Sequence, residues 1–275
     1  MYRTHSPWTK EAQEHFEHYG FLYVESFYDV ENEIAPIQNR IRQLFELVLE
    51  EKSNPNEAFD WLLARDRVNN RNAASVVYDA IKKVPEYVAL ASANKNTELA
   101  KHLLRSEFVG FAQRGFGVRM DHPHEDRLLT QLHQDYTSQL CSPHGIVIWS
   151  PLLHVSFDMG PVIIYPESHK LGILPIDVAG EGSYGLQLRD ADSLRRNFKP
   201  IAPEVRPGDA VILHMLTLHE SAPNRGTDTR WAMISRYFDF LHDTGRSHGW
   251  RGGLQEGNAF QRVHPELCST SDEKP

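Results

Sequence analysis

The sequence predicts a mainly β protein whose core is a sandwich or barrel, with α-helices flanking it. Two patterns carry that expectation. From about residue 107 onward, strand-length apolar runs recur between turn residues: EFVGFA, GVRM, LLTQLHQ, GIVIWSPLLHV, PVIIYP, DAVILHML and RWAMISRYF. Several short strands at such spacing build a sandwich or a closed barrel. Ahead of them, apolar residues recur at intervals of three and four, the period of a helix with one buried face. The 275 residues suffice for one large domain. No repeat or linker divides the chain. A single domain is expected, with a helical N-terminal part over about 1–106, a β core over about 107–245, and a C-terminal tail.

Each element has its own signal. Thr9 is a candidate N-cap and Gly20 a stop for a first helix, after which FLYVESF suits a strand. A second helix sets Ile34, Ile37, Ile41, Leu44, Phe45 and Val48 on one apolar face. The polar run EKSNPNEAFD over 51–60 is a loop, and 72–105 is again helical with a break at Pro85. In the β region, Asp158-Met159-Gly160-Pro161 and Pro207-Gly208-Asp209 are tight turns. The segment 171–206, with Gly180, Gly182 and Gly185 and no apolar period, is expected to be a lid. The stretch HDTGRSHGWRGGLQEGNAF is expected to lie as a tail over the barrel mouth, with Trp250 either at the substrate or anchoring the tail.

Composition narrows the class. A net charge of -8 and a pI near 6.0, without a basic patch, argue against a general binder of nucleic acid or anionic membranes. The opening MYRTHSPWTKEAQEHF lacks the apolar stretch of a secretory signal, and nothing in the sequence has the apolar length of a membrane span, so a cytoplasmic protein is expected. Cys141 and Cys268 stand far apart in no metal-binding spacing and read as reduced thiols. Histidine is unusually frequent, at 15 residues.

The chemistry gathers at His133 and Asp135. They lie two apart in a strand-like run, and strand side chains alternate, so both are expected on one face. A pair of this kind is by itself a common surface feature. A third ligand must come from another strand, where His214 and His219 compete; alternation sends those two to opposite faces. Two imidazoles and one carboxylate on one face leave three positions of an octahedron open, the arrangement of non-haem iron(II) oxygenases. Arg230, eleven residues after His219, opens the run RWAMISRYF. It could clamp a carboxylate by paired hydrogen bonds, and Arg236 shares its strand parity, so one of the two could be the clamp and the other structural. His122 and His124, in the loop DHPHED, read as solvated, and His154 and His169 as structural or surface groups.

The strings QLHQDYTSQ, VIWSPLLHVSFDMGPVIIYPESHK, PGDAVILHMLTLHESAPN and TRWAMISRY fall in order over 131–239. Together with the opening helix and GFLYVESF they resemble the phytanoyl-CoA dioxygenase family of iron and 2-oxoglutarate oxygenases. The resemblance implies a double-stranded β-helix, or jelly roll, of cupin type, with Fe(II) on His133, Asp135 and His219. It also implies that Arg230 holds the distal carboxylate of 2-oxoglutarate, helped by Ser221, with Trp149 lining that pocket and O2 as the co-oxidant. Gly160 and Pro161 match the motif's Gly-Pro step. Two departures stand out: Glu167 replaces the usual small residue before Ser-His, and His154 stands where many members carry an acidic residue.

The expected reaction is hydroxylation of a C–H bond in a small polar metabolite or natural product, with release of succinate and CO2. Desaturation, epimerisation and ring closure are variants that depend on where the substrate sits. Retention of Asp135 argues against a halogenase, which needs that coordination position for halide. Gln131, Tyr136, Gln139 and Arg195 are candidate substrate-binding residues, and Arg196 a further cation of the same segment. The competing readings are a cupin-like metal-dependent isomerase, which has no need of Arg230, and a non-catalytic ligand-binding barrel.

Overall fold

The computed structural model describes residues 2–112, 115–177, 187–252 and 259–268. Its strands are β1 (Arg3–Thr4), β2 (Phe21–Val24), β3 (Val109–Phe111), β4 (Gly117–Asp121), β5 (Gly145–Pro151), β6 (Val162–Ile164), β7 (Ile176–Asp177), β8 (Gln187–Leu188), β9 (Ala210–His214), β10 (His219–Ser221) and β11 (Arg230–Asp239). The helices are α1 (Lys10–Tyr19), α2 (Ala35–Leu49), α3 (Trp61–Ala64), α4 (Arg71–Ala80), α5 (Pro85–Ala91), α6 (Asn94–Leu104), α7 (Asp135–Gln139), α8 (Ala191–Asn197), α9 (Asp243–Ser247) and α10 (Ala259–Val263).

The large sheet runs β1-β2-β9-β5-β11-β3, with β4 also paired to β11. Alternation along its strands separates two cores. Leu22, Ile146, Ile148, Ile212, Trp231 and Met233 face one way and pack with Ile37, Ile41 and Phe45 of α2 and with Leu99 and Leu103 of α6. Tyr23, Val147, Trp149, Val211, Leu213 and Ala232 face the other way, toward Val162 and Ile164 of β6 and Leu218. That second face is covered by a smaller layer in which β10 pairs antiparallel with β6, extended by bridges from His133 to His219 and from Ile201 to Ile164. Two facing antiparallel layers make a jelly roll, here with a large sheet and helices on its outer face.

Local chemistry explains the boundaries. Thr9 accepts a hydrogen bond from the Ala12 amide at the start of α1, and Gly20 ends the helix in the left-handed region at φ 75°. A Cβ on Gly20 would lie 2.3 Å from His169 and 2.5 Å from Thr217, so the position is closed to larger residues. Pro85 sits at the first position of α5, where its missing amide proton costs nothing. The apolar face of α2 is narrower than its periodicity predicts: Val48 is exposed.

One expectation is corrected here. The run LLTQLHQ is not a strand: His133 makes a single bridge, and Asp135 opens the short helix α7. The backbone of His133 bonds to His219 in both directions, at 3.0 and 3.2 Å, which pins it to the edge of β10 before the chain turns into the helix. Within 171–206 the described residues hold the antiparallel pair β7–β8 and the helix α8. Gly180, Gly182 and Gly185 lie outside the described residues. No described helix is long and apolar enough to cross a membrane.

Candidate metal centre

His133, Asp135 and His219 converge between the two layers, each offering a ligand atom within 4.8 Å of the others. They are the one such group of three among the described residues. His219 projects from the first position of β10, His133 from the backbone beside it, and Asp135 from the first turn of α7. Sequence alternation placed the two chain-neighbouring ligands together; the structure brings them together by a bridge and a helical turn instead.

The donor set is prepared for a cation. Nδ1 of His133 lies 2.9 Å from the Gln131 carbonyl, and Nδ1 of His219 lies 3.0 Å from the Thr217 carbonyl. A carbonyl can only accept, so both Nδ1 atoms carry the proton and both Nε2 atoms keep their lone pairs for a metal. Burial, followed by the charge of His219, pushes the His133 pKa down to about 3, which keeps the ring neutral. Burial alone would raise the Asp135 pKa. The Arg236 guanidinium, with His219 and His133, outweighs it and holds the carboxyl far below the usual range.

Arg236 donates from Nε (3.0 Å) and Nη2 (2.7 Å) to Oδ1 of Asp135, and from Nη1 to the Gly115 carbonyl at 2.7 Å. Oδ2 of Asp135 is buried with no hydrogen-bond donor and sits 3.3 Å from Nε2 of His219. A buried carboxylate oxygen without a donor is costly. The ligand atoms of His133 and His219 lie within 4.8 Å of it, a grouping that a divalent cation would satisfy. Of the two candidate arginines, Arg236 is therefore the one that orients a ligand.

The cavity at the triad is lined further by Arg119, Thr130, Val147, Trp149, Val162, Leu213, Glu220, Ser221, Ile234 and Arg230. Arg230 is almost wholly buried, and its Nη2 lies 2.9 Å from Oδ2 of Asp121, its cross-strand partner. Ser221 and Trp149 both reach this wall. Gly160 sits at φ 71°, and an added Cβ would meet the carbonyls of Ala222 and Pro223 at 2.4 Å, so the Gly-Pro turn packs directly on the chain that follows Ser221.

The other nominated residues lie elsewhere. His214 faces away from the triad, into a group with His144 and His169. Tyr136 is fully buried, its hydroxyl 2.8 Å from Nε2 of His264. Gln139 is also buried, and bonds Ser138. Gln131 contributes its carbonyl to His133 while its residue surface is exposed. Arg195 forms a paired salt bridge to Glu220 and a second to Asp192, so it touches the cavity wall only through Glu220; Arg196, next to it, is exposed. None of these side chains is in the lining. His122 is buried against Thr229, not solvated, while His124 is exposed. His154 lies in a separate polar cleft with Arg3, His5 and Glu25. The Trp250 indole donates to the Phe240 carbonyl, which anchors the tail. Cys141 and Cys268 are free thiols.

Arg119, Asp121, Thr130 and Glu220 were not nominated from the sequence. For Arg119 a signal existed: it stands in the strand-like run GVRM, and alternation puts it on one face with Asp121.

A jelly roll with a buried two-histidine, one-carboxylate centre defines a class of metal-binding barrels with open coordination positions. Within that class, the family model for phytanoyl-CoA dioxygenase (PhyH) matches residues 16–232, and the chain belongs to this family. Among solved structures, it is similar to the epimerase SnoN in complex with Fe3+, alpha ketoglutarate and nogalamycin RO. The identity there is 17%, with 84% of this chain and 83% of that one covered and a TM-score of 0.59. The carbocyclase SnoK from nogalamycin biosynthesis is similar at 20% identity, covering 84% of each chain, with a TM-score of 0.56. EctD from S. alaskensis with bound Fe is similar at 15% identity over 85% of this chain and 78% of that chain, with a TM-score of 0.57. At such identities the likeness is one of fold. A search of the curated proteins found no match.

Proposed function

We propose that the protein is a non-haem iron(II), 2-oxoglutarate-dependent dioxygenase that oxidises a C–H bond of a small polar metabolite or natural product. The observation that carries this reading is the donor-free Oδ2 of Asp135 facing two Nε2 lone pairs, in a cavity that also holds a buried arginine. His133, Asp135 and His219 would hold the iron. Arg230 and Ser221 would hold the distal carboxylate of the cosubstrate, with Trp149 along its flank. When bound, iron, 2-oxoglutarate and dioxygen supply the oxidising power; hydroxylation consumes one O2 and one 2-oxoglutarate and yields the alcohol, succinate and CO2.

The chain's own contribution is orientation and exclusion of water. Arg236 holds one oxygen of Asp135 so that the other stays available, and the carbonyls of Gln131 and Thr217 fix both ring tautomers. The walls of Val147, Val162, Leu213 and Ile234 keep the rest of the centre apolar. An isomerase on the same barrel would have no use for Arg230. An inert binding barrel would have no need of a complete ligand triad.

The test is an anaerobic titration of the apoprotein with iron(II) and 2-oxoglutarate, following the visible charge-transfer band of the chelate. The band is expected in the wild type, absent in His219→Ala, and weakened in Arg230→Ala. A folded wild type with no band would sink the dioxygenase reading. Succinate release with candidate substrates then identifies the reaction.

A further inference from the structure

We infer that Gln134, the residue between His133 and Asp135, is a positioning residue that couples the chain segment beginning at Gly172 to the metal ligands. This rests on the proposed metal centre and is independent of which cosubstrate the centre takes.

Gln134 is fully buried, and its amide is spent on backbone from two distant segments. Nε2 donates to the Gly172 carbonyl at 2.8 Å and to the Leu216 carbonyl at 2.9 Å, and Oε1 accepts from the Leu174 amide at 3.0 Å. Carbonyls only accept and a backbone N–H only donates, so these partners fix which end of the side chain carries the hydrogens, and both of its N–H protons are used. The contact with Leu216 concerns the third ligand. The next carbonyl along the chain, that of Thr217, is the one that orients His219. A single side chain, flanked by two ligands, thus grips the turn that carries the third.

The contacts with Gly172 and Leu174 lead the other way, to the cavity wall. Ile176 and Asp177 of β7 pair with Leu188 and Gln187 of β8, and the Arg189 amide donates to the Pro175 carbonyl at 3.0 Å. Helix α8 follows directly, and its Arg195 holds Glu220 of the cavity lining in a paired salt bridge. A displacement of Glu220 when the cavity is occupied therefore has a bonded route through α8 and β8 to Gly172 and Leu174, and through Gln134 to the ligands. Gly172 is the sensitive point of that route. Its φ of 72° and ψ of -156° belong to a region open essentially to glycine alone. A Cβ there would meet nothing within 4 Å, so a side chain at this position acts on the backbone, and on the direction of the carbonyl that Gln134 holds, without any clash.

The experiment is a double-mutant cycle read by manganese(II) binding to the metal-free protein, with the sharp paramagnetic resonance signal of the free ion measuring what stays unbound. Gln134→Met keeps the length of the side chain and removes its amide; it is expected to weaken manganese(II) by about 10–100-fold, as loss of a partner that orients metal ligands does. Gly172→Ala, outside the cavity lining, is expected to weaken it by roughly 2- to 30-fold. On the Gln134→Met background the same change is expected to alter affinity by no more than about twofold, because the link is already cut. Gln134→Asn keeps the amide on a shorter stem that cannot reach both carbonyls, and takes the place of Gln134→Met if that variant does not fold. A Gln134 that only supports the fold would lower stability toward urea and leave the metal affinity of the folded protein unchanged, and that result would overturn the inference. An effect of Gly172→Ala that is absent from the wild-type background, or equal in both backgrounds, would overturn it as well. A wild type that binds no manganese(II) would remove the metal centre on which the inference rests, whereas failure of the dioxygenase reading alone shows as a missing 2-oxoglutarate band in protein that does bind the ion.

Discussion

At the scale of single residues, the site is governed by how buried charges are divided. Asp135 is a carboxylate with one oxygen committed to Arg236 and one left over. Removing the guanidinium should therefore do two things. Arg236→Met leaves the Asp135 charge without its partner, which costs about 3–5 kcal/mol for a buried pair broken on one side. It also frees the carboxylate to rotate, and loss of such an outer partner weakens metal binding by about 10–100-fold. Iron(II) titration of the folded variant checks the second effect and chemical denaturation of the apoprotein the first. Arg236→Lys is expected to be closer to wild type in stability than in iron affinity, since an ammonium restores charge but not the paired geometry.

At the scale of elements, the ends of the first helix decide how the N-terminal part meets the jelly roll. Thr9→Ala removes the N-cap of α1 and is expected to cost about 0.5–2 kcal/mol. Gly20→Ala is the harsher change. It puts a side chain at φ 75°, which costs about 1–2 kcal/mol by itself, and drives a Cβ into His169 and Thr217. The Gly20 carbonyl also accepts from the Thr217 hydroxyl at 2.6 Å and from the His214 amide at 2.9 Å, on the turn that leads into β10. A shift at Gly20 therefore reaches His219. The expected outcome is a loss of stability greater than that of Thr9→Ala, with a fall in iron affinity that the cap variant does not show. Urea denaturation and iron titration on the same pair of proteins separate the two. Glu167 adopts φ 68°, in the left-handed region. A glycine would adopt that conformation without strain; the Glu167 carboxylate accepts a hydrogen bond from the Lys170 ammonium at 2.8 Å.

At the scale of the whole molecule, the many histidines set the response to acid. Burial holds the pKa of His15 down to about 4, and burial with neighbouring imidazoles holds His214 well below its usual value; His169 and His242 are lowered by burial as well. In the unfolded chain these rings take up protons near the ordinary value of about 6.5. The unfolded state then binds more protons than the folded one, so stability is complete above that pH and is lost as pH falls toward the folded values. Each ring that stays neutral contributes a slope of up to about 1.4 kcal/mol per pH unit. The urea midpoint is expected to fall steadily between about pH 6.5 and 4. His214→Asn, whose side-chain oxygen can replace Nδ1 as acceptor from the Leu216 amide, should flatten that limb. An unchanged pH profile in the variant would assign the slope to other groups.

Periodicity and turn chemistry depend on residues close in the chain, and these the sequence determined by itself: the α1 cap and stop, the break at Pro85, and the strand runs of the β core other than LLTQLHQ. The pair His133 and Asp135 drew notice by its spacing of two, while the choice of His219 over His214 came with the family resemblance. What the tertiary structure decided lies between strands remote in sequence. Only the β4–β11 register places Asp121 against Arg230 and brings Arg119 to the same wall. Only the packing of α7 shows that Tyr136 and Gln139 turn into the core while Asp135 turns to the metal centre. The division of labour between Arg230 and Arg236 is of the same kind. Strand parity makes the two equivalent, and which carboxylate each one meets depends on chain brought alongside from more than a hundred positions earlier.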